Sequence, residues 1–355
     1  MSIRTLVRCT IGWASGLALV AAPAASSTQA SGTFSLSGDR AEIYNIVGFV
    51  RIQAGRGSDV IVQIDVGGAD ADQLTVETGR IRGAETLRII YPDDHIVYPE
   101  LHRRSRSTIS VRPDGTFFGR RSRGGDRVTV SGSGRGLEAY ADLVISIPRG
   151  KTVGVYLGVG EVEVENVDGD LLVDVASAPV SARGTRGRLS IDTGSGSVEV
   201  TDARGDVNID TGSGSVDVSD VSGGVLLIET GSGSVTGENL EVEGLNIDTG
   251  SGRIELRTVT SSDVRLDTGS GSVRVDLTTD VDVLDIDTGS GSVTVYIPDN
   301  FGAQLDIESS SGGIDFEMPV TVRRFSRQAL RGSIGDGEGV VRVDTGSGSV
   351  RFLRR

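Results

Sequence analysis

Cysteine and tryptophan are almost missing from this chain of 355 residues, which has one of each. Cys9 and Trp13 both lie within the first 30 residues, so the rest of the chain has no thiol. Disulfide bonds and cysteine redox chemistry are therefore excluded from the main body of the protein.

Long apolar runs are also scarce, and only the segment from Ile11 to Ala22 stands out. Arg4 and Arg8 precede it, and alanine-rich sequence follows near residues 23–30. This order is typical of a secretory signal peptide, which we assign to residues 1–30. The sequence thus predicts an exported protein, periplasmic, cell-surface or extracellular, with no transmembrane segment in its mature form.

Histidine is limited to His95 and His102. Asp93 and Asp94 lie nearby, so a metal site is conceivable, but a loop of this kind more often carries plain surface residues. We expect no metal site, no cofactor site and no catalytic residue.

The chain is instead rich in one repeated motif, Ile191-Asp192-Thr193-Gly194-Ser195-Gly196-Ser197-Val198. A fixed period of this kind is typical of solenoid proteins. With small changes the motif begins again at Ile209, Ile228, Ile247, Leu266, Ile286, Ile307 and Val343.

Apolar residues hold four fixed places around each motif. If its first aliphatic residue is x, they fall at x−2, x, x+7 and x+9, as in Leu189, Ile191, Val198 and Val200. Alternating apolar pairs predict two short strands per coil, each with one face inward. We therefore predict an all-β fold, a two-sided parallel β-solenoid of about ten coils of 18–21 residues that begins near Val153.

The turns between the strands differ on the two edges. The motif turn always has six residues, and we expect its glycines to supply backbone angles that other residues resist. Insertions collect on the opposite edge, and the largest spans residues 317–340. It is expected to cover one end of the regular part, residues 151–355, with Arg354 and Arg355 as charged gatekeepers against edge pairing.

Residues 34–150 are less regular but still β-rich. Ala41, Ile43, Val50 and Ile52 fit the four apolar places, which predicts a first coil there. Strand-like pieces at Thr108–Arg112 and Arg127–Val130 indicate a hairpin with a mobile tip near Phe117 and Phe118.

Charge is distributed unevenly along the chain. The formal net charge is −14, and the acidic balance argues against nucleic acid as the main partner. Residues 101–135 hold nine arginines and two aspartates, a net charge of +7. This Arg-rich insertion is either a solvated loop that offsets the acidic coils or an anion-binding segment. The candidate anion-binding residues are Arg103, Arg104, Arg106, Arg120, Arg121 and Arg123.

An acidic residue follows the first aliphatic of every motif, which predicts a ladder of like charges. Calcium-binding rolls place Asp after their glycines, whereas here Asp192 precedes Gly194. We therefore expect the aspartates to accept turn N–H bonds and face water. A polysaccharide-active enzyme is the alternative function, although these carboxylates follow the repeat and so favour a structural role.

The chain resembles the bacterial family labelled "putative adhesin", a domain-of-unknown-function family of β-strand repeats. The resemblance rests on the repeated Asp-Thr-Gly-Ser-Gly-Ser-Val, on the segments 43–48 and 171–175, and on the closing segment 332–337. It implies a secreted or periplasmic solenoid. The resulting hypothesis is an exported non-enzymatic β-solenoid that serves as an adhesin-like scaffold or binding surface for an envelope or surface component.

Overall fold

The computed structural model describes residues 26–117 and 125–355, and these are almost entirely strand and turn. The only helical piece among them is a 3-10 turn at Ala71–Gln73. The N-terminal strands are β1 (Ser26–Gln29), β2 (Gly32–Leu36), β3 (Arg40–Ala54), β4 (Val60–Gly67), β5 (Thr75–Ile81), β6 (Ala84–Ile90), β7 (His95–Val97), β8 (Arg106–Val111), β9 (Asp126–Ser131) and β10 (Tyr140–Ile147).

The repeats supply two strands per coil, and they form the rod of the molecule. The first half comprises β11 (Lys151–Glu165), β12 (Gly169–Ser177), β13 (Val180–Arg183), β14 (Leu189–Thr193), β15 (Val198–Arg204), β16 (Val207–Thr211), β17 (Val216–Ser222), β18 (Val225–Thr230), β19 (Val235–Glu241), β20 (Gly244–Thr249) and β21 (Ile254–Thr260). The second half comprises β22 (Asp263–Thr268), β23 (Val273–Leu277), β24 (Val283–Thr288), β25 (Val293–Ile297), β26 (Ala303–Ser309), β27 (Ile314–Phe316), β28 (Thr321–Phe325), β29 (Ala329–Ile334), β30 (Gly339–Thr345) and β31 (Val350–Arg354).

Two sheets run the length of the rod, and β3 and β11 are long enough to contribute to both. The first sheet follows the order β1-β5-β6-β3-β11-β12-β14-β16-β18-β20-β22-β24-β30-β26-β29-β28. The second follows β2-β4-β10-β3-β11-β13-β15-β17-β19-β21-β23-β25-β31-β27. Successive coils pair in parallel, so the predicted parallel β-solenoid is confirmed.

One apolar core fills the space between the sheets. Ile209 and Val216, which represent the two strands of one coil, are both 0 % exposed. The same four places are buried in the other coils, except at the end coil, where Ile314 and Phe316 are half-buried because β27 has a neighbour on one side only. Gly237 occupies one inward place, and Leu240 and Leu256 fill the room that its missing side chain leaves.

A fifth inward place follows the second strand of many coils and was not anticipated from the sequence. Asp202, Asp220 and Asn239 adopt left-handed backbone angles, with φ of 51°, 55° and 54°. Each of these residues is an additional, bulge-like residue that shifts the inward–outward alternation by one, so that the side chain after it points into the core. The side chains placed in this way include Ala203, Val221, Leu240 and Val259, all at most 1 % exposed.

The motif turn is fixed by its threonine rather than by its aspartate, which corrects the expected hydrogen bonding. Thr249 is fully buried, donates to the carbonyl of Gly233 in the preceding coil at 3.0 Å, and accepts from the N–H of Gly252 at 3.0 Å. The expected role of the glycines is also wrong, because none of the glycines in the Thr-Gly-Ser-Gly turns has a left-handed φ. They are needed for close approach: a Cβ at Gly252 would overlap the carbonyl oxygen of Gly233.

The last two coils are stacked out of sequence order. Strand β30 pairs with β24 on one side and with β26 on the other, so the final coil lies between two earlier ones. Arg354 and Arg355 therefore do not lie at the end of the rod, as expected, but form ion pairs with Asp299 and Asp276, both at 2.9 Å. The true end strands come from the insertion, where β29 and β28 add antiparallel to β26.

The other end is covered by antiparallel strands in both sheets. In the first sheet β1 pairs with β5, and in the second β2 pairs with β4. Ala30, directly after β1, is 1 % exposed. The expected signal range 1–30 therefore overlaps this strand, and a cleavage that retains β1 falls before Ser26.

Replacing Ile247 by Ala in mid-rod tests the core. The cavity should lower the free energy of unfolding by about 2–5 kcal/mol, because Ile247 is 0 % exposed and the coils on both sides hold its surroundings in place. Urea denaturation measures the change. The exposed Asn246→Ala provides a control that should stay within about 0.5 kcal/mol of the parent.

Removing residues 339–355 tests the coil order. Strands β26 and β27 would lose β30 and β31, their parallel neighbours, so residues 298–338 should become protease-sensitive while the coils up to Ile297 stay protected. Limited proteolysis followed by mass spectrometry measures this. Protection of residues 298–338 in the shortened chain would show that β26 can pair with β24 directly and would contradict the prediction.

Candidate binding surface

A small lobe, residues 91–137, projects from the first coils of the rod. Its three strands lie in the order β7-β9-β8, with β7 and β9 parallel and β8 and β9 antiparallel. The predicted hairpin is therefore present as β8 and β9. One face of this sheet carries Ile96, Ile109 and Val130, which are at most 3 % exposed.

A second apolar core joins the lobe to the rod. Tyr44 of the first coil stacks on Tyr156 of the next at 4.3 Å, and Phe117 meets Tyr44 edge-on at 5.6 Å. Burial raises the pKa of the Tyr156 hydroxyl to about 12, so this tyrosine stays neutral. Because Phe117 is 1 % exposed, it is a packing residue and not part of the expected mobile tip; Phe118 lies outside the described residues.

Gly158 allows this close contact. A Cβ at this position would overlap the Ile109 side chain of the lobe and approach the carbonyl oxygen of Ile46. Tyr91 adds polar contacts, since its hydroxyl lies 2.8 Å from Asn45 Oδ1 and 3.0 Å from the carbonyl oxygen of Val47. The lobe is therefore held in one orientation on the rod.

Three of the six candidate arginines, Arg103, Arg104 and Arg106, lie within the described residues. Arg103, Arg104 and Arg106 are exposed, and within the described residues none of them has an ion-pair partner. They lie beside the loop that follows β9, where Ser133 Oγ donates to the carbonyl of Arg103 at 2.9 Å. The exposed Arg135 lies two residues further along this loop. These four arginines form the basic edge of the lobe.

Arg120, Arg121 and Arg123 lie outside the described residues. Their flanking residues Phe117 and Gly125 are placed near Val111, at the opposite end of β8 from Arg106. Six extended residues span about 17 Å. The described residues that flank this segment therefore lie about 17 Å from Arg106 along β8.

The predicted acidic ladder lies on the outer face of the first sheet. Its carboxylates oppose one another in register, at a spacing of about 4.8 Å between coils. Tyr44 and Tyr156 hold the same place in the first two coils, so the ladder begins beside the lobe. In stack order it runs Asp174, Asp192, Asp210, Glu229, Asp248, Asp267, Asp287, Asp344 and Glu308.

The ladder carries an electrostatic cost. Partial burial raises the pKa of Asp192, and the neighbouring Asp210 raises it further. The pKa of Asp267 is raised in the same way by burial and then by Asp248, Asp287 and Asp285. Like charges in adjacent strands repel, and the rod tolerates this because the carboxylates face water.

Among the described residues, only Asp93, Asp94 and His95 bring three possible metal ligands within 4.8 Å of one another. All three are exposed, and Asp93 accepts from the backbone N–H of His95 at 2.9 Å. The His95 ring lies 2.7 Å from Asp94, and this hydrogen bond lowers the pKa of the Asp94 carboxyl. His102 takes no part, since its ring nitrogen accepts from the N–H of Arg104 at 3.3 Å. Hydrogen bonds within the loop therefore explain why Asp93, Asp94 and His95 lie close together.

The family model of the Toastrack DUF4097 domain matches residues 128–352, from β9 of the lobe to the last coil. The chain belongs to this family. The resemblance to a domain-of-unknown-function family of β-strand repeats is thereby confirmed. Within the described residues, no helix has the length and apolar character needed to span a membrane.

Other comparisons add little. No curated protein matches the chain. One solved structure aligns with it, described as a "putative cell adhesion protein" from Clostridium sporogenes, with 10 % identity over 94 % of this chain and 100 % of that one. The TM-score is 0.22, too low to support any argument from this likeness.

Sequence reasoning missed the tyrosine stack and Gly158. The tyrosines occupy the place that carries an acidic residue in the later coils, so the exchange of charge for aromatic character was the available signal. No sequence signal indicated the contacts of Gly158, because its neighbour Ile109 lies 49 positions away in the sequence.

The ladder predicts a pH dependence with a definite sign. An aspartate whose pKa is raised by folding makes the folded state lose stability as the pH rises from the unfolded-state pKa through the folded-state pKa. Asp192→Asn and Asp267→Asn should therefore each stabilise the protein at neutral pH, by a few tenths of a kcal/mol after allowance for screening. The gain should disappear at about pH 3, below the ordinary aspartate pKa, because the parent carboxyls are then mostly protonated in both the folded and the unfolded state.

Thermal unfolding at both pH values measures the effect. Asp315→Asn is the matched control, because its cross-strand neighbour is Arg351 and the same substitution should there be neutral or destabilising. Equal effects at all three positions would contradict a role for the ladder.

Proposed function

We propose that this protein is an exported, non-enzymatic scaffold of the bacterial envelope that presents an adhesin-like binding surface. Two features support this role. Aliphatic side chains fill the space between the two sheets, which suits a rigid rod. The acidic side chains on its outer face repeat from coil to coil, as expected of structural residues.

The observation that carries the proposal is the basic edge of the lobe. Arg103 and Arg104 lie in the turn before β8, and Arg106 is the first residue of β8. The second core fixes this lobe on an acidic rod. From residue 151 to residue 318 the rod has thirty-one acidic and nine basic residues, a net charge of −22. An anionic partner is therefore attracted to the lobe and repelled by the rod, which gives binding a definite place.

The ligand chemistry follows from the guanidinium groups. They pair bidentately with phosphate or carboxylate, the anionic groups of envelope polysaccharides and glycolipids. Arg120, Arg121 and Arg123 would add to this attraction, because they belong to the same Arg-rich insertion of the sequence. Exposed pairs of this kind are screened by salt within about 8 Å at physiological ionic strength, so binding should be strongly salt-dependent.

The triple variant Arg103→Ser, Arg104→Ser, Arg106→Ser tests this site. Its affinity for immobilised polyphosphate and polygalacturonate should fall by at least about tenfold at low salt, a change of about 1.4 kcal/mol in binding free energy. Biolayer interferometry over a salt series measures both affinity and salt dependence.

The matched control removes three arginines from the rod, with Arg204, Arg257 and Arg265 changed to Ser. Each of these pairs with a nearby carboxylate, at 3.6, 2.8 and 2.9 Å respectively. The control has the same net charge as the lobe variant and should keep the parent's affinity. Equal losses of affinity in both variants would show that only the net charge of the protein matters. If the parent protein binds neither polyanion, the proposed anion-binding role is wrong.

A further inference from the structure

The last strand of the rod, β28, exposes two apolar side chains, Val322 and Phe325, which form an apolar ledge. Beyond the coil of β26 and β27, which ends the stack, the first sheet continues with β29 and β28, whereas the second sheet ends at β27. In the β28–β29 pairing, Val322 lies opposite Gly332 and Phe325 opposite Leu330. Leu330 faces the core and is 4 % exposed, so Val322 and Phe325 lie on the same inward face of the sheet.

This part of the inward face is uncovered. Phe316, Met318 and Val320 are half-buried and pack against the end of the core. In contrast, the side chains of Val322 and Phe325 are 50 % and 62 % exposed. The described residues contain only one other large apolar side chain so exposed, Val225 at 47 %. Two of the three exposed apolar side chains thus lie on one five-residue strand at the tip of the molecule.

The same tip is basic. Residues 319–331 contain four arginines and no acidic residue. Arg331 is neutralised by Asp306 at 2.9 Å and Glu308 at 3.0 Å. Arg323, Arg324 and Arg327 are exposed, and within the described residues they have no ion-pair partner.

Protection of the sheet edge explains part of this arrangement. The pairing of β28 has a bulge between Val322 and Arg324, and bulges and charged side chains keep an edge strand from pairing with another chain. Strand addition by a protein partner is therefore disfavoured, and a second copy would bring like charges together. Edge protection does not explain an exposed phenylalanine, because a polar residue would serve it better.

We propose that the tip, residues 321–327, docks on an anionic lipid surface. Phe325 and Val322 would enter the interfacial layer, while Arg323, Arg324 and Arg327 meet lipid phosphates. The acidic rod would be repelled by the same surface and point away from it. This contact is separate from the proposed anion site, because the lobe lies on the first coils and the tip beyond the last.

The absence of tryptophan after Trp13 gives a direct test. In the chain from Ser26 onward, which holds every described strand, Phe325→Trp introduces a single tryptophan at the tip. Its fluorescence should shift to the blue with vesicles rich in phosphatidylglycerol and stay unchanged with phosphatidylcholine. Tyr296→Trp, on the outer face of the second sheet, is the matched control and should not shift with either.

Co-sedimentation with the same vesicles measures affinity. Val322→Ser with Phe325→Ser, and separately Arg323→Ser with Arg324→Ser and Arg327→Ser, should each weaken binding by at least tenfold. The rod variant with Arg204, Arg257 and Arg265 changed to Ser should bind like the parent. Circular dichroism and melting temperatures establish that each variant is folded. An unshifted Trp at residue 325 in bound protein, binding lost only in the lobe variant, or no binding by the parent would overturn the proposal.

Discussion

The structure depends on the contact between stacked motif turns. In the coils from Thr211 onward a buried hydroxyl, threonine in all but the end coil, donates to a glycine carbonyl of the neighbouring coil and accepts from a glycine N–H of its own turn. Thr268 does so with Gly252 and Gly271, at 2.9 and 3.0 Å. Both bonds require the turns to approach so closely that no side chain fits at the glycine positions. This satisfies buried polar groups along one whole edge of the rod and fixes the register of both sheets, since a one-residue slip would turn the apolar side chains outward.

The same contact explains why the coils can be stacked out of order. Thr345 donates to Gly291, and Ser309 in turn donates to Gly348, both at 2.9 Å. The final coil thus uses the standard contacts on both of its sides, although the chain reaches it last. The coil at Ile307 becomes the end of the stack and carries the β28–β29 hairpin beyond it. Strand β31 is consequently internal to the rod, between β25 and β27, and the exposed end is built from an insertion.

Charge and shape are arranged along one axis. The basic lobe lies at the first coils, the acidic ladder extends from it, and the basic tip ends the rod. Long-range attraction therefore favours anionic partners at the two ends and repulsion keeps them from the middle. The two anionic contacts proposed above, at separate places on one rod, would suit a spacer between envelope components.

The sequence by itself determined the coil. Alternating residues such as Val207 and Ile209 can bury one face only as strands, and the recurring turn sets two strands per coil, so the parallel solenoid followed from local pattern. It did not determine which coil ends the stack, because the coils of Ile307 and Val343 present equivalent inward side chains to the coil of Ile286. The degenerate turn Ser310-Ser311-Gly312-Gly313 was the one sequence sign of an end coil. The lobe's position depends on Ile109 meeting Gly158, and the tip's ledge on the second sheet ending early. Both arise from contacts between distant residues, and only the tertiary structure decides them.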